Sequence, residues 1–538
     1  MTAETINVPA PDAADRPAPA ASEPSDGPGA GTLWRRIWWR AVLVPLTVLA
    51  PIVALAPTAD HRFNLYWHGG LFRDDPLGLV PHTLRSLEGY LGMGNFRPLG
   101  RMLEKSLDLA AYTLSDLSGI PVTVSFRLVS FLGAIALTAA TVLFAESFLT
   151  RGRLFRRPPS TVAAAVPFAV GGGLVAAGSA SPVVLFGGLY LTSAALVLVV
   201  GALLCRIDPA RRVRWWHLGL LVLGGAALAC FNEIAYLALP FATAAVLVRG
   251  RGVPVRVVTL LWSGFLPVFL AVRVVIYRHC STGECYRGSD IALGPDVLTA
   301  EPVRLVAWLP PLMWRAATDG RPWLVGLVPV LALVVLALLA WWAIRDLPRL
   351  STVDRRRALG LAAAAFALLV LGATIGALNG DVQRLVGRGE WGQGWRDTAI
   401  TAAPGAVVLV ALVHAWSARR FATTGLIVLL ALSATLSAAA NKRYADTLGH
   451  REPAILANRL AQEMARFDTS PAGDARRCAL RAEFFVLYAD SPFSLRRFDQ
   501  SLDVAARQQA GVPFCVVAVP LPAPGPSDGA ENHNRRGR

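Results

Sequence analysis

The feature that most restricts this chain is a succession of long apolar segments separated by short arginine clusters. They run approximately over Ala41–Ala56, Thr123–Leu149, Thr161–Gly178, Val183–Cys205, Val257–Ile276, Trp323–Ile344, Ala358–Leu378, Ile400–Trp416 and Phe421–Ala440. As helices rising about 1.5 Å per residue, such segments span or nearly span a hydrocarbon layer of about 30 Å. His217–Val248 is different, since one helix of that length would reach about 48 Å. Arginines flank it on both sides, Arg211, Arg212 and Arg214 before and Arg249, Arg251 and Arg256 after. A hairpin turning at Phe231-Asn232-Glu233 keeps both clusters on one side of the layer. The sequence therefore predicts an all-α polytopic membrane protein with about eleven transmembrane helices.

The arginines give the orientation. Only 16% of the 538 residues are charged, against about 25% in a soluble domain. The net charge of +16 is concentrated in the inter-segment clusters, which is the positive-inside pattern of a multi-pass cell-membrane protein and not a nucleic-acid footprint. With the N-terminus cytoplasmic, residues 57–122, 277–322 and the tail from 441 fall outside. The loop 379–398 is the exception, outside yet carrying Arg384, Arg388 and Arg396. Residues 1–32 are rich in Ala, Pro, Asp and Ser and read as a disordered cytoplasmic segment. Residues 33–440 form the membrane domain. Residues 441–520 read as a small extracytoplasmic α/β module, with strands at Cys478–Leu487 and Phe514–Val519, and 521–538 as a disordered tail. Four of the six cysteines fall outside, in two local pairs, Cys280 with Cys285 and Cys478 with Cys515. An oxidising exterior favours a disulfide in each, the alternative being free thiols.

Residues 57–122 concentrate the candidate chemistry. Asp60 lies just past the first apolar segment, where a carboxylate can act as general base on a hydroxyl, or serve as a solvated acid or cap. His61 follows it. Asp74 and Asp75 offer oxygen ligands to a divalent cation, and equally a turn or N-cap before Pro76. His68 and His82 sit at irregular spacings, so no metal motif emerges. Arg97-Pro98-Leu99 opens an amphipathic helix reaching about Leu117, with Arg97 and Arg101 near its start, suited to a phosphate or to interfacial anchoring. Glu233 sits at the hairpin apex, either facing a cavity or in a solvated turn. Arg127 and Arg273 lie near the outer ends of their segments, positioned for a lipid phosphate or for snorkelling to headgroups.

Together these residues resemble the GT-C superfamily of polytopic glycosyltransferases, in particular its protein O-mannosyltransferase-like branch. The likeness rests on Asp60 after the first span, on Arg97-Pro98-Leu99, Gly119-Ile120-Pro121 and Arg127-Leu128, and on Asn232-Glu233 followed by Leu239-Pro240. It covers roughly residues 41–250. The chain departs from the family pattern where His61 follows Asp60 and where Asn232 stands in place of a lysine. The resemblance implies inverting transfer of a sugar from a polyprenyl-phosphate donor to an extracytoplasmic acceptor, protein or envelope glycan, at the bilayer surface. Asp60 would be the base. Arg97, Arg101, Arg127 and Arg273 would hold the donor phosphate, and Glu233, Asp74, Asp75 and His61 would support the cavity. No cofactor is required by that chemistry, though a divalent cation is compatible with it. Two other classes fit the composition, a transporter or flippase of an envelope precursor and a non-catalytic membrane scaffold. No symmetry between halves, of the kind many transporters carry, is visible in the sequence.

Overall fold

The structure is a computed structural model that describes residues 29–58, 61–150, 154–185, 188–208, 214–250, 254–280, 291–321, 326–417, 419–488 and 492–516. Among these residues the regular structure is helical, and the only β pairing is two isolated bridges, Ser160 with Ser351 and Ile291 with Asn379.

Seven helices among the described residues are long and apolar enough to cross a membrane: Val122–Leu149, Leu189–Arg206, Val255–Cys280, Leu327–Arg349, Arg355–Ala377, Thr398–Trp416 and Arg420–Gly449. The protein is therefore membrane-embedded. Three shorter apolar helices, Thr161–Gly172, Trp215–Ala229 and Ala238–Arg249, and the N-terminal helix Ala30–Leu49 pack with them. Burial separates central from peripheral helices. Of its most apolar window, Thr398–Trp416 buries 78% inside the protein, whereas Val255–Cys280 buries 17% and Leu327–Arg349 33%. Leu266, Leu270 and Val274 on one, and Val334, Trp341 and Trp342 on the other, remain exposed. In a membrane protein such faces meet lipid.

The arginine-rich loops gather at one end of the bundle. There Arg249 donates to the carbonyls of Phe148 (3.1 Å) and Thr150 (3.0 Å), Trp34 Nε1 donates to Arg157 O (3.0 Å), and Asp346 pairs with Arg36 and Arg40. The remaining loops gather at the opposite end.

One predicted span is shorter than its composition suggests. The helix Thr161–Gly172 stops six residues before Gly178, at the run Gly171-Gly172-Gly173, which lacks side chains to hold it. The chain then continues as buried irregular backbone. Such backbone is tolerated at membrane depth only if its polar groups find partners. Asn441, fully buried on the Arg420–Gly449 helix, supplies them: its Oδ1 accepts from Ala176 N (2.7 Å), and its Nδ2 donates to Leu174 O and Val48 O (both 2.9 Å).

The C-terminal module is helical where it is described, which corrects the α/β expectation. Glu452–Ala465, Pro471–Leu487 and Pro492–Ala510 are helices. The segment read as a strand begins under a Ser470 N-cap with Pro471 in the first turn, and its Arg477, Leu480, Arg481 and Phe484 fall on one buried helical face. Phe514–Val516 forms no strand, and residues 517–519 lie outside the described residues. Cys478 and Cys515 are disulfide-bonded with Cα atoms 5.0 Å apart, joining a helix to a loop and not two strands. Cys280 is also disulfide-bonded, while Cys285 lies outside the described residues.

The first loop and this module share one hydrophobic core, separate from that of the bundle. Phe63, Tyr66 and Tyr112 from the loop pack with Leu456, Phe484 and Phe498 from the module. The loop helix His61–Phe72 lies against Pro492–Ala510 so closely that a Cβ on Gly70 would fall 2.7 Å from the backbone nitrogen of Ala505. Tyr112 Oη donates to Gln508 Oε1 at 3.1 Å across the same interface.

Candidate functional site

At the loop-rich end, a cavity of about 290 Å³ lies between the bundle and the loops that cover it. Glu233, Tyr190, Tyr236, Arg273, Trp395 and Arg396 line it, with Phe269, Ile276 and Ile375 supplying an apolar side.

Local structure places each group. Fully buried Asn232 fixes the turn between the two short apolar helices: its Oδ1 accepts from Ala235 N (3.0 Å) and its Nδ2 donates to Ser193 Oγ (2.6 Å). Glu233 is thereby presented into the cavity. The segment Asn95–Gly100 lies across this turn, with Leu99 N donating to Cys230 O (3.0 Å). Gly100 is required by the contact, since a Cβ there would fall 2.2 Å from Phe231 O. Arg97 is thus held beside Glu233, just before Pro98 opens the helix Pro98–Ser118. Arg273, on the Val255–Cys280 helix, sits over the rings of Tyr236 and Phe269 (5.5 and 5.3 Å to the centroids), and Arg396 over those of Tyr190 and Trp395 (5.7 and 5.6 Å).

The electrostatics favour charged groups on both sides. Burial opposes ionisation of Glu233, but Arg97, Arg396 and Arg273 outweigh it and hold the carboxyl below its ordinary value. Burial likewise opposes the charge on Arg97, and Tyr190, Glu233 and Glu104 raise its pKa nonetheless. Arg97 is only 5% exposed, and its Nε and Nη1 have no hydrogen-bond partner. A buried guanidinium that meets Tyr190 and Glu233 on one side and keeps two donors open beside a cavity has capacity for an anion.

No family model, curated protein or solved structure matches this chain. The chemistry must be read from the cavity itself.

The other residues singled out in the sequence lie elsewhere. Arg127 is fully buried, and its three nitrogens donate to Leu55 O (2.9 Å), Val184 O (2.7 Å) and Ala56 O (3.0 Å). Its guanidinium pins the end of the first apolar segment and is not presented to the cavity. Arg101 pairs with Glu104 (2.9 Å) and stacks on Tyr90. Asp74 is exposed and accepts from Gln508 Nε2 (3.1 Å), while Asp75 caps a turn through Gly78 N (3.1 Å). His61 and His68 both donate through Nδ1 to the fully buried Asp108 (3.1 and 2.8 Å). Asp60 lies outside the described residues. No group of three or more His, Cys, Asp or Glu among the described residues is arranged to hold a metal ion.

The inner face of the Pro98–Ser118 helix is more polar than its sequence pattern suggests. Glu104, Lys105 and Asp108 are buried, whereas Leu114 and Leu117 are exposed. Burial raises the Asp108 carboxyl, but the facing His61 and His68 bring it below its ordinary 3.8; Glu104 is lowered in the same way against burial by Arg101, Arg97 and His61. Burial also lowers the Lys105 ammonium, to about 8, and its Nζ donates to Thr83 Oγ1 (3.0 Å).

Sequence reasoning missed Arg396, Tyr190, Trp395 and Asp108. A signal existed for Arg396, which breaks the charge rule in a loop that the sequence reading expects outside.

Proposed function

We propose that this protein is a membrane glycosyltransferase that uses a polyprenyl-phosphate sugar as donor and an extracytoplasmic acceptor. The observation that carries the reading is the cavity lined by Arg273, Arg396 and Glu233 beside an apolar wall, with buried Arg97 and its open donors held behind it next to Glu233. Guanidinium groups match phosphate oxygens in geometry and charge. The apolar side formed by Phe269, Ile276 and Ile375 suits the first units of a prenyl chain.

In this reading the chain crosses the cell membrane eleven times, through the seven long helices, Ala30–Leu49 and the three shorter apolar helices. The arginine-rich end is cytoplasmic, and the cavity opens at the outer leaflet. Both termini of the membrane domain follow, N-terminus inside and module outside.

The reaction is a single displacement. The acceptor hydroxyl oxygen attacks the anomeric carbon and loses its proton to a carboxylate, for which Asp60 is the residue the family resemblance supplies. The bond from the anomeric carbon to the phosphate oxygen breaks, and the polyprenyl phosphate leaves with the electron pair. Arg97, Arg273 and Arg396 stabilise the charge developing on that phosphate. Glu233 keeps the guanidiniums apart and oriented without contacting the sugar.

The test is turnover by purified protein in nanodiscs, with a radiolabelled polyprenyl-phosphate sugar and an envelope extract as acceptor. Arg97→Ala should lower label transfer by roughly 10²–10³-fold and Asp60→Asn should abolish it, each leaving the protein monodisperse. Equal turnover in Arg97→Ala and wild type, or none in wild type with any polyprenyl-phosphate hexose, would sink the reading.

A further inference from the structure

A second, larger cavity of about 480 Å³ lies on the same end of the molecule, outside the one described above. Its size falls in the range of small-ligand sites, roughly 300–1,000 Å³. One wall is the C-terminal end of the helix Pro310–Thr318 with Arg315 and Asp319; the other is the segment Glu390–Gln393. The two walls meet closely, since a Cβ on Gly392 would fall 2.0 Å from Leu312 O.

Three observations assign a ligand class. First, Trp391 lines the groove and is 50% exposed, so an indole face is available to a ligand there. Second, Asp319 is the only non-glycine residue with positive φ (51°) among the described residues. It is the left-handed cap of the helix Pro310–Thr318, its N–H donating to Arg315 O, and this ending sets its carboxylate at the edge of the cavity. Third, the charged groups at the groove, Arg315, Asp319 and Glu390, nearly balance, and Glu390 is paired with Arg388 at 3.1 Å. That balance disfavours a phosphate or a strongly charged peptide. It suits a neutral polyol whose hydroxyls bond the carboxylates while its C–H face lies on the electron-rich indole.

Both walls are rigid. Trp314 Nε1 donates to Ser437 Oγ (2.9 Å), Gly394 N to Ala177 O (2.6 Å), and Arg304 Nη1 to Gln393 O (3.0 Å). The segment also connects the two cavities: Glu390–Gln393 walls the groove, and Trp395–Asp397 walls the Arg97–Glu233 cavity.

We infer that this groove seats an uncharged saccharide on Trp391 between Asp319 and Glu390, and that this saccharide is the acceptor chain. The acceptor role rests on the transferase reading, whereas saccharide binding does not.

The experiment is saturation-transfer NMR on the full chain in nanodiscs, with mannotriose, maltotriose and chitotriose as probes. At least one probe should receive saturation on its ring protons. Trp391→Ala and Asp319→Asn should each weaken its binding by roughly tenfold, the loss of about one good contact. Asp319→Gly separates binding from folding: it relieves the positive φ, so thermal stability holds or rises while binding falls. Arg273→Ala should leave binding unchanged. No binding of any probe, or equal binding in Trp391→Ala and wild type, overturns the inference. Binding that depends on Trp391 in a protein that transfers no sugar keeps the site and overturns its acceptor role.

Discussion

Two buried arginines, Arg304 and Arg97, are used in opposite ways. Arg304, on the helix Asp296–Val306, donates through Nε and Nη2 to the two oxygens of Asp397 (both 2.7 Å) and through Nη1 to Gln393 O (3.0 Å). Both side chains of the pair are essentially inaccessible. Arg97 is nearly as buried, yet its Nε and Nη1 bond to nothing. A closed guanidinium fastens one loop to another. An open one retains capacity for a ligand. The difference distinguishes a clamp from a binding group without reference to any relative.

The comparison can be broken by exchanging stability for activity. The largest effect is expected at the clamp. Arg304→Ala leaves Asp397 buried without its partner and should cost about 3–5 kcal/mol, measured as lost thermal stability, with activity falling only as the loops it fastens loosen. Arg97→Ala should do the reverse. Transfer should drop by roughly 10²–10³-fold, as for removal of a charge-stabilising donor, with a smaller loss of thermal stability than in Arg304→Ala because Glu233 keeps Arg396 and Arg273. If Arg97→Ala unfolds the protein as Arg304→Ala does, Arg97 is a clamp as well.

Acid should sharpen the contrast at intermediate size. The folded carboxyls of Asp108 and Glu104 lie below their ordinary values, so between the folded and unfolded pKa the unfolded chain binds more protons. Their contribution is present above about pH 4 and is lost as pH falls through the folded values. Hydrogen exchange of the first loop should accelerate there before that of the bundle. For Lys105, lowered to about 8, the sign is again positive but the window is alkaline, and stability of the same loop rises as pH increases from about 8 towards 10.5. The smallest effect belongs to Asp74→Asn, which should leave stability and transfer unchanged, because that exposed carboxylate meets only Gln508.

Much of the fold is legible in the sequence because the bilayer imposes one rule on every span. Length and hydropathy reveal Val122–Leu149 or Thr398–Trp416 without any knowledge of their neighbours. The module at 452–516 obeys no such rule. Cys478–Leu487 has apolar residues at both strand and helix spacings, and only the burial of Arg477, Leu480, Arg481 and Phe484 on one face decides between them. The same limit applies to the site. Arg273 and Glu233 stand out because each is polar where apolar residues are expected, and Arg97 because it opens an amphipathic helix. Tyr190 and Trp395 do not, since their place depends on which loops meet. Asp108 was hidden by its own helix, whose leucines suggest a lipid-lying face while its charges turn inward. Arg127 illustrates the opposite error, since a cation near the outer end of a span is equally suited to three carbonyls left by a chain end.

The core shared by residues 63–129 and 456–514 has a consequence in time. During synthesis the first loop is made early, but the helices that cover Phe63, Tyr66 and Tyr112 are made hundreds of residues later. At about 5–20 residues per second, that is a delay on the order of tens of seconds. For that period the loop stands with its apolar face bare, and the segment bearing Arg97 lacks the support behind it. Completion of the loop-rich end thus waits on the last helices to be made, and a ribosome stalled after Gly449 would leave the helix bundle beneath an unfinished roof.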